Sequence, residues 1–371
     1  MNGNTLLRPL TLTALLTLVC AACDEAAPPW QPVERADTTF LLPLASPLSA
    51  TTTGRHGLLV PRAHFDAIIR HEPLTRTDEP DDLYAALKVV AVRLDPCFVE
   101  ARQTRDCPSQ VRLVLQPVFA GGPGSPATAN AQLTTRDAAL HAFYAVPPDE
   151  LRSLAQALLE LRGDSPGDTI STHVAPEEAA ALVLERIGED RLTRITHMSV
   201  HASNEAWVFA GFDIDPETGR RTDLLVPGGI ETPAHDFRFE QHLTNTGTDG
   251  ELAATLIPEP VIEPDIAGFL DARRRESLSA EAQTKALSAF TRLLDPAQHD
   301  PGTVDCASCH IASAASHFAS RTAESAPSAY DDTKNQRMLG YYFAEPTVSP
   351  RVVAETDLVV ETLNSSTTGA P

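Results

Sequence analysis

Five residues near the C-terminus, Cys306-Ala307-Ser308-Cys309-His310, form the pattern C-x-x-C-H. On one turn of helix, Cys306, Cys309 and His310 are spaced i, i+3 and i+4, so their side chains lie on one face. This spacing predicts a helical turn from which two thiols and one imidazole act together on a single partner group. It fixes the local conformation and the chemistry of the segment more tightly than any other feature of the chain.

The C-x-x-C-H pattern is the attachment site of c-type haem. Its two thiols add to the two vinyl groups of one haem, and the histidine beside the second thiol binds the iron as the proximal axial ligand. We therefore predict one covalent haem c, bonded to Cys306 and Cys309, with His310 as an iron ligand.

Two other sites use the same residue types. A thioredoxin-like redox pair needs a core strand before the first cysteine, whereas residues 295–305 form a polar stretch. A structural zinc site would need His299 or His317 as its fourth ligand, and the adjacent pair Cys309-His310 fits a closed tetrahedron poorly. Both remain as alternatives to haem.

Two amphipathic patterns flank the motif. Before it, Ser279 is a predicted N-cap, and an apolar stripe follows at Ala286, Leu287, Phe290, Leu293 and Leu294. After it, Pro350 opens a second amphipathic segment that runs to about Asn364. One helix before C-x-x-C-H and one at the C-terminal end resemble the single-haem cytochrome c family over about residues 266–364. The resemblance implies a small all-α domain, in which the two helices pack across each other beside the haem, and a role in electron transfer.

The resemblance also implies a distal methionine shortly before the last helix. Met338 lies 28 residues after His310 and 12 before Pro350, and we predict it as the second iron ligand. The turn and aromatic residues that follow, Gly340-Tyr341-Tyr342, are expected to wall the haem. The alternatives are His299 or His317 as the ligand, with Met338 as a packed core residue.

The N-terminus has the pattern of an export signal. Arg8 precedes an apolar run from Leu10 to Val19, which is too short to span a membrane. Small residues before Cys23 resemble a bacterial lipobox, which implies that Cys23 becomes the lipidated first residue of the mature chain. Cys20 stands where that signal usually has leucine, so ordinary signal cleavage stays open as the alternative.

The cysteine count agrees with export. Of the 6 cysteines, one leaves with the signal, one takes the lipid and two take the haem. Cys97 and Cys107 remain, and in an oxidising compartment a disulfide between them would persist. The alternative is two unpaired thiols.

The net charge of −21 restricts the partners. An acidic surface disfavours nucleic acid and anionic lipid headgroups, so we expect no nucleic-acid partner and a membrane contact through the lipid anchor only. Acidity serves solubility in most proteins, and here it also suits a basic redox partner.

The region between the linker and the haem motif mixes strand and helix patterns. Alternating apolar residues predict strands at 88–94, 110–118, 140–146, 192–200, 206–214, 221–226 and 237–243. Helices are predicted from Pro148 to Arg162, before Gly163, and from Pro176 to Ile187, before Gly188. His197 and His201 fall on one face of a strand, where a metal or haem contact is a minor alternative to core packing.

The sequence thus predicts an α+β N-terminal domain followed by a small all-α cytochrome c-like domain. The expected limits are a signal peptide at 1–22, a lipid-anchored linker at 23–37, the α+β domain at 38–264, the haem domain at 265–364 and a disordered tail at 365–371. The favoured function is an exported, lipid-anchored electron carrier on the periplasmic side of a bacterial membrane or on the cell surface. The alternatives are a haem-dependent oxidoreductase or peroxidase-like enzyme, and a surface binding lipoprotein with a haem sensor.

Overall fold

An antiparallel β-sheet dominates the fold. The computed structural model describes residues 29–69, 80–96, 109–120, 133–135, 138–201, 206–223, 225–231, 237–243 and 339–365, with a few positions between 279 and 296. The main path of the sheet runs β1-β4-β5-β7-β8-β9-β11-β12, with β6 paired to β5 and β10 to β9. Its strands are β1 Thr39–Leu41, β4 Leu87–Asp95, β5 Gln110–Ala120, β6 Leu133–Thr135, β7 Ala138–Ala145, β8 Leu192–His201, β9 Ala206–Ile214, β10 Arg221–Asp223, β11 Leu225–Glu231 and β12 Phe237–Leu243.

Two short hairpins and five α-helices have both ends within the described residues. The hairpins are β2 Thr53–Gly54 with β3 Gly57–Leu58, and β13 Leu339–Tyr342 with β14 Glu345–Val348. The helices are α1 Arg62–Ile69, α2 Pro80–Ala86, α3 Pro148–Arg162, α4 Pro176–Leu184 and α5 Pro350–Ser365. Single turns of 3₁₀ helix occupy Arg35–Asp37 and Glu189–Arg191.

Local sequence patterns predicted most of these elements. The strands expected at 88–94, 110–118, 140–146, 192–200, 206–214 and 237–243 are confirmed as β4, β5, β7, β8, β9 and β12. Helix α3 ends as predicted, because Gly163 takes φ 57° and its N–H bonds to the carbonyl of Leu159. Ser279 caps a helix start as predicted, since its Oγ accepts a hydrogen bond from the Ala282 N–H at 3.2 Å.

The two faces of the large sheet differ in character. We call face A the side that carries Arg93, Arg112 and Phe143, which lie side by side on β4, β5 and β7. Face B is the opposite side, and its aligned residues Leu113, Ala142 and Ile195 have no exposed surface. Helix α1 lies over face B, where His64 contacts the ring of Phe212. Face B therefore forms the main apolar core.

One histidine is buried within this apolar core. His197 is aligned with Leu140 on face B and is 2% exposed. Neither of its ring nitrogens has a hydrogen-bond partner among the described residues. Burial disfavours the charged ring and lowers the pKa of His197 to about 3, so the imidazole is neutral at pH 7.

Hairpin β13–β14 and helix α5 lie on face A. Tyr341 packs with Leu41, Val90 and Val114 in a buried cluster on this face. Helix α5 follows the hairpin and meets the sheet at its β1–β4 edge, where Thr356 Oγ1 lies 3.1 Å from Thr39 Oγ1. The sheet is covered on both sides here, which explains why Val89 to Val92 form a continuous apolar run with no exposed surface.

The predicted fold class is therefore wrong. The described part of the chain is a β-sheet-rich domain, and its C-terminal part is a β-hairpin with one helix, not a small all-α domain. The apolar pattern after Pro350 does form helix α5, but its buried face packs on the sheet rather than across a haem. The described residues from 32 to 365 accordingly belong to one compact unit.

The start and the end of the described body are joined. The side-chain amide of Asn364 binds both backbone groups of Val33, accepting from its N–H at 3.0 Å and donating to its carbonyl at 3.1 Å. Nearby, the buried carboxylate of Asp37 accepts from Arg162 Nε at 2.7 Å. Residues 33–37, which the sequence placed in the linker, are thus part of the folded body.

The buried imidazole predicts an acid-sensitive contribution to stability. In the unfolded chain His197 takes up a proton below about pH 6.5, whereas in the folded protein it stays neutral down to about pH 3. The free energy of unfolding therefore falls as the pH drops through this window, by about 2 kcal/mol between pH 7 and pH 5.

His197→Met should remove this loss and leave stability at pH 7 equal or higher, because the two unpartnered ring nitrogens at this position are no longer buried. Urea denaturation of both proteins at pH 7 and pH 5 measures the difference. An identical pH dependence in the variant would contradict the prediction.

Candidate functional site

The residues that the sequence assigns to the haem, the lipid and the disulfide lie outside the described residues. Their predicted roles stay predictions. They are Cys23, Cys97, Cys107, Cys306, Cys309, His310 and Met338, and the alternative ligands His299 and His317 also lie outside.

The haem motif is inserted between two strands that the structure does describe. The chain leaves the large sheet after Leu243, at the end of edge strand β12, and returns at Leu339, the first residue of β13 on face A. The motif therefore lies in residues 244–338, and both ends of this segment are continuous with the sheet-based body. The resemblance to cytochrome c had suggested a module at the C-terminal end instead.

Gln116 anchors the chain where it returns to face A. The Tyr341 N–H donates to Gln116 Oε1 at 2.8 Å, and Gln116 Nε2 donates to the Tyr341 carbonyl at 2.9 Å. The Tyr341 hydroxyl donates to the carbonyl of Leu42 at 2.9 Å. Because Met338 is bonded directly to Leu339, the chain is anchored within three residues of this predicted ligand. The Tyr341 ring is used in the face A cluster, so it is not available as a separate haem wall.

The two cysteines of the predicted disulfide belong to the chain segment between β4 and β5. Asp95 and Gln110 are aligned partners at the open end of the β4–β5 pair. Cys97 comes two residues after Asp95, and Cys107 comes three residues before Gln110. The pairing of Cys97 with Cys107 stays a prediction.

A buried ionic network joins helix α5 to face A. Arg93 lies between two carboxylates, with Nη1 at 2.5 Å from Glu355 and Nε at 2.7 Å from Asp95. The second of these contacts is an ion pair outside hydrogen-bond geometry. Arg112 Nη2 is 3.0 Å from Asp95, and Arg351 Nε is 2.7 Å from Glu355. None of the five residues is more than 9% exposed.

These buried groups stay charged because oppositely charged neighbours outweigh the effect of burial. Burial would raise the pKa of Glu355, but the guanidinium groups of Arg93 and Arg351 outweigh it and lower the pKa to about 2. Burial likewise opposes the charge of Arg93, and its two carboxylate neighbours outweigh that effect and raise its pKa. The network links the helix to the sheet through charges that no longer contact bulk water.

Sequence reasoning missed this network. The available signal was an arginine within each of two largely apolar strands, at positions 93 and 112. A buried arginine needs a carboxylate partner, and Glu355 lies one helical turn after Arg351 in the last helix. That combination favours a sheet, rather than a haem, as the surface beneath the helix.

The described residues contain no other obvious reactive site. His197 is buried in the core, and His201 lies at the end of β8, aligned with Ala206. No group of three or more His, Cys, Asp or Glu side chains is arranged to hold a metal ion among the residues that the structure describes. Within that same part of the chain, no helix is both long enough and apolar enough to span a membrane.

Comparison with known proteins adds no relative. No family model, curated protein or solved structure matches this chain.

The ionic network predicts a large effect of removing one carboxylate. Glu355→Gln leaves three buried guanidinium groups with a single carboxylate, and we expect the free energy of unfolding to fall by about 3–5 kcal/mol. Urea denaturation at pH 7 measures the change.

A second position on the same helix provides the control. Asp357 pairs with Arg35 at 2.6 Å, but the two side chains are 51% and 33% exposed. Asp357→Asn should therefore cost less than about 1 kcal/mol. Equal losses for the two variants would show that α5 does not depend on the buried network.

Proposed function

We propose that this chain is an exported, lipid-anchored c-type haem protein that carries single electrons between partner proteins. The observation that carries the proposal is the motif C-x-x-C-H at residues 306–310. The N-terminal signal pattern supports it, because covalent haem c is attached outside the bacterial cytoplasm.

The donor set fits this group. Cys306 and Cys309 supply two thiols for thioether bonds, and His310 supplies a neutral imidazole to the iron. Met338 is the proposed opposite ligand, and a thioether there favours a higher reduction potential than a second histidine would. When bound, the haem supplies one-electron exchange, and the protein determines its ligands and its exposure to water.

The acidic surface agrees with a redox carrier. A net charge of −21 attracts a basic partner over a distance and speeds the encounter, most strongly at low ionic strength. The proposed anchor at Cys23 would hold the protein at the membrane on the periplasmic side or at the cell surface. There it would meet a membrane-side or periplasmic redox protein.

The cysteines of the motif provide the direct test. We expect the exported wild-type protein to carry the mass of one haem and to give a pyridine haemochrome spectrum of the c type. Cys306→Ser combined with Cys309→Ser should abolish both signals, because no thioether bond can form.

The other cysteine pair is the matched control. Cys97→Ser combined with Cys107→Ser removes the same number of thiols and should leave the haem attached. The proposal is wrong if wild-type protein, exported from a host that attaches haem c, shows no added haem mass.

The distal ligand is tested separately. Met338→Ala should abolish the charge-transfer absorption band of methionine-ligated ferric haem and lower the midpoint potential, because the thioether ligand is lost. Met198→Leu is the control, since Met198 lies in β8 and is the other methionine beyond the proposed signal peptide. A native spectrum in Met338→Ala would transfer the role to another residue, with His299 the next candidate.

Peroxide turnover separates the carrier from a haem enzyme. The chain has one C-x-x-C-H motif, whereas di-haem peroxidases carry two. A carrier should be reduced reversibly by dithionite without consuming hydrogen peroxide. Rapid peroxide consumption by the purified haem-loaded protein would favour the enzyme instead.

A further inference from the structure

One edge of the large sheet carries a short extended segment outside β1. The Leu41 N–H donates to the Ser171 carbonyl at 2.9 Å, and the His173 N–H donates to the Leu41 carbonyl at 3.1 Å, so this segment lies parallel to β1. Because β1 is the first strand of the main path, the segment is the outermost described part of the sheet on this side. We call residues 170–174 the outer segment.

The outer segment directs backbone groups away from the sheet. In an extended chain, successive residues present their N–H and carbonyl groups to opposite sides. Since Ser171 and His173 bond to β1, both backbone groups of Thr172 and the N–H of Val174 point outward. Within the part of the chain that the structure describes, neither N–H has a hydrogen-bond partner, and the Thr172 carbonyl accepts only from the Ser171 hydroxyl, at 3.5 Å. The segment therefore offers donors and an acceptor to a further strand.

The side chains of the outer segment favour an added strand and do not obstruct one. Ile170, Thr172 and Val174 are β-branched and alternate along the segment. Many proteins protect a sheet edge with proline or lysine, and residues 170–174 contain neither. Ser171 and Thr172 are exposed, and Val174 is 58% exposed. The edge is therefore open to strand addition.

Negative charge borders the outer segment on both sides. Asp168 precedes it, and Glu177 and Glu178 follow it in the first turn of α4; all three are exposed, and none forms an ion pair with another described residue. The arginines near this edge, Arg35 and Arg162, are already paired with other carboxylates. This edge therefore suits a positively charged partner, whereas a second copy of the chain, with its net charge of −21, would be repelled.

We propose that a partner protein docks on this chain by adding an extended, basic segment as a strand along residues 170–174. Backbone hydrogen bonds to Thr172 and Val174 would hold the added strand, and the bordering carboxylates would select its lysine or arginine side chains. The docking makes no use of haem, so it can succeed or fail independently of the proposed function.

A synthetic strand tests the proposal on the full-length protein. The probe is a fluorescent peptide of about eight residues that alternates valine and lysine, the length of an ordinary strand. Fluorescence anisotropy at low ionic strength should show saturable binding. The same peptide with every backbone nitrogen methylated keeps its charge but loses its donors, and it should bind about tenfold or more weakly. Equal binding of the two peptides would overturn the proposal, because charge alone would then hold them.

A proline at the centre of the outer segment is the matching change in the protein. Thr172→Pro removes the outward N–H and leaves the bonds of Ser171 and His173 to β1 intact, so it should weaken binding of the unmethylated peptide about tenfold or more. Thr172→Val keeps the N–H and should bind as the wild type does. Circular dichroism verifies that both variants are folded. Unchanged binding by folded Thr172→Pro would place the peptide elsewhere and overturn the proposal.

Two further measurements test the charge and the identity of the occupant. Glu178→Lys should weaken peptide binding about threefold, whereas Glu217→Lys, about 24 Å away across β4, β5, β7 and β8 in the turn after β9, should have little effect. Equal effects would show that only net charge matters and would contradict the proposed site. A wild-type dimer that dissociates in Thr172→Pro, seen by analytical ultracentrifugation, would show that a second copy takes this edge, which would also overturn the proposal.

Discussion

The buried contact between Arg93 and Glu355 holds the C-terminal helix on the sheet. Removing these charges from water is costly, and the cost is offset only while each group faces its partners at 2.5–3.0 Å. If α5 left, Arg93, Asp95 and Arg112 on face A would lose Glu355 and have to be rehydrated. The hairpin β13–β14 is held on the same face by its own bonds, from Tyr341 to Gln116 and from Phe343 to Thr135.

This docking changes how the haem motif relates to the rest of the chain. A module at the end of a chain is tied at one point and moves with its linker, whereas an insertion is tied at two. Residues 244–338 begin at an edge strand and end on face A, where Gln116 binds both backbone groups of Tyr341.

Local patterns in the sequence were sufficient for most strands and helices. Alternation and apolar content predicted β4, β5 and β7, and Pro148 with Gly163 delimited α3. The hairpin β13–β14 escaped prediction because its strands have four residues each, and one contains Pro346, which is unfavourable in a strand. Helix α4 ends at Leu184, three residues before the predicted Ile187, because the Arg186 N–H bonds to the Val183 carbonyl in a tighter turn.

The sequence could not reveal which distant elements of the chain pack against each other. The amphipathic pattern after Pro350 indicated a helix but not the surface that buries it. The resemblance to cytochrome c predicted another helix beside a haem, whereas the helix packs on the sheet. Arg93 and Arg112 belong to no short motif, and Arg93 binds a carboxylate 262 positions away in the chain, on Glu355. The C-x-x-C-H motif is the opposite case, because its five residues predict a chemistry and say nothing about the neighbouring fold.

The bonds between Asn364 and Val33 have a practical consequence for engineering. They place both exits of the folded body at one spot, so a short loop joining them would yield a circular permutant in which the sheet, its charged network and the hairpin are unchanged. A chain extended beyond Ser365 would leave the folded body close to Val33. Purification handles and fluorescent reporters are therefore better inserted elsewhere, such as at the exposed turn around Gly219 between β9 and β10.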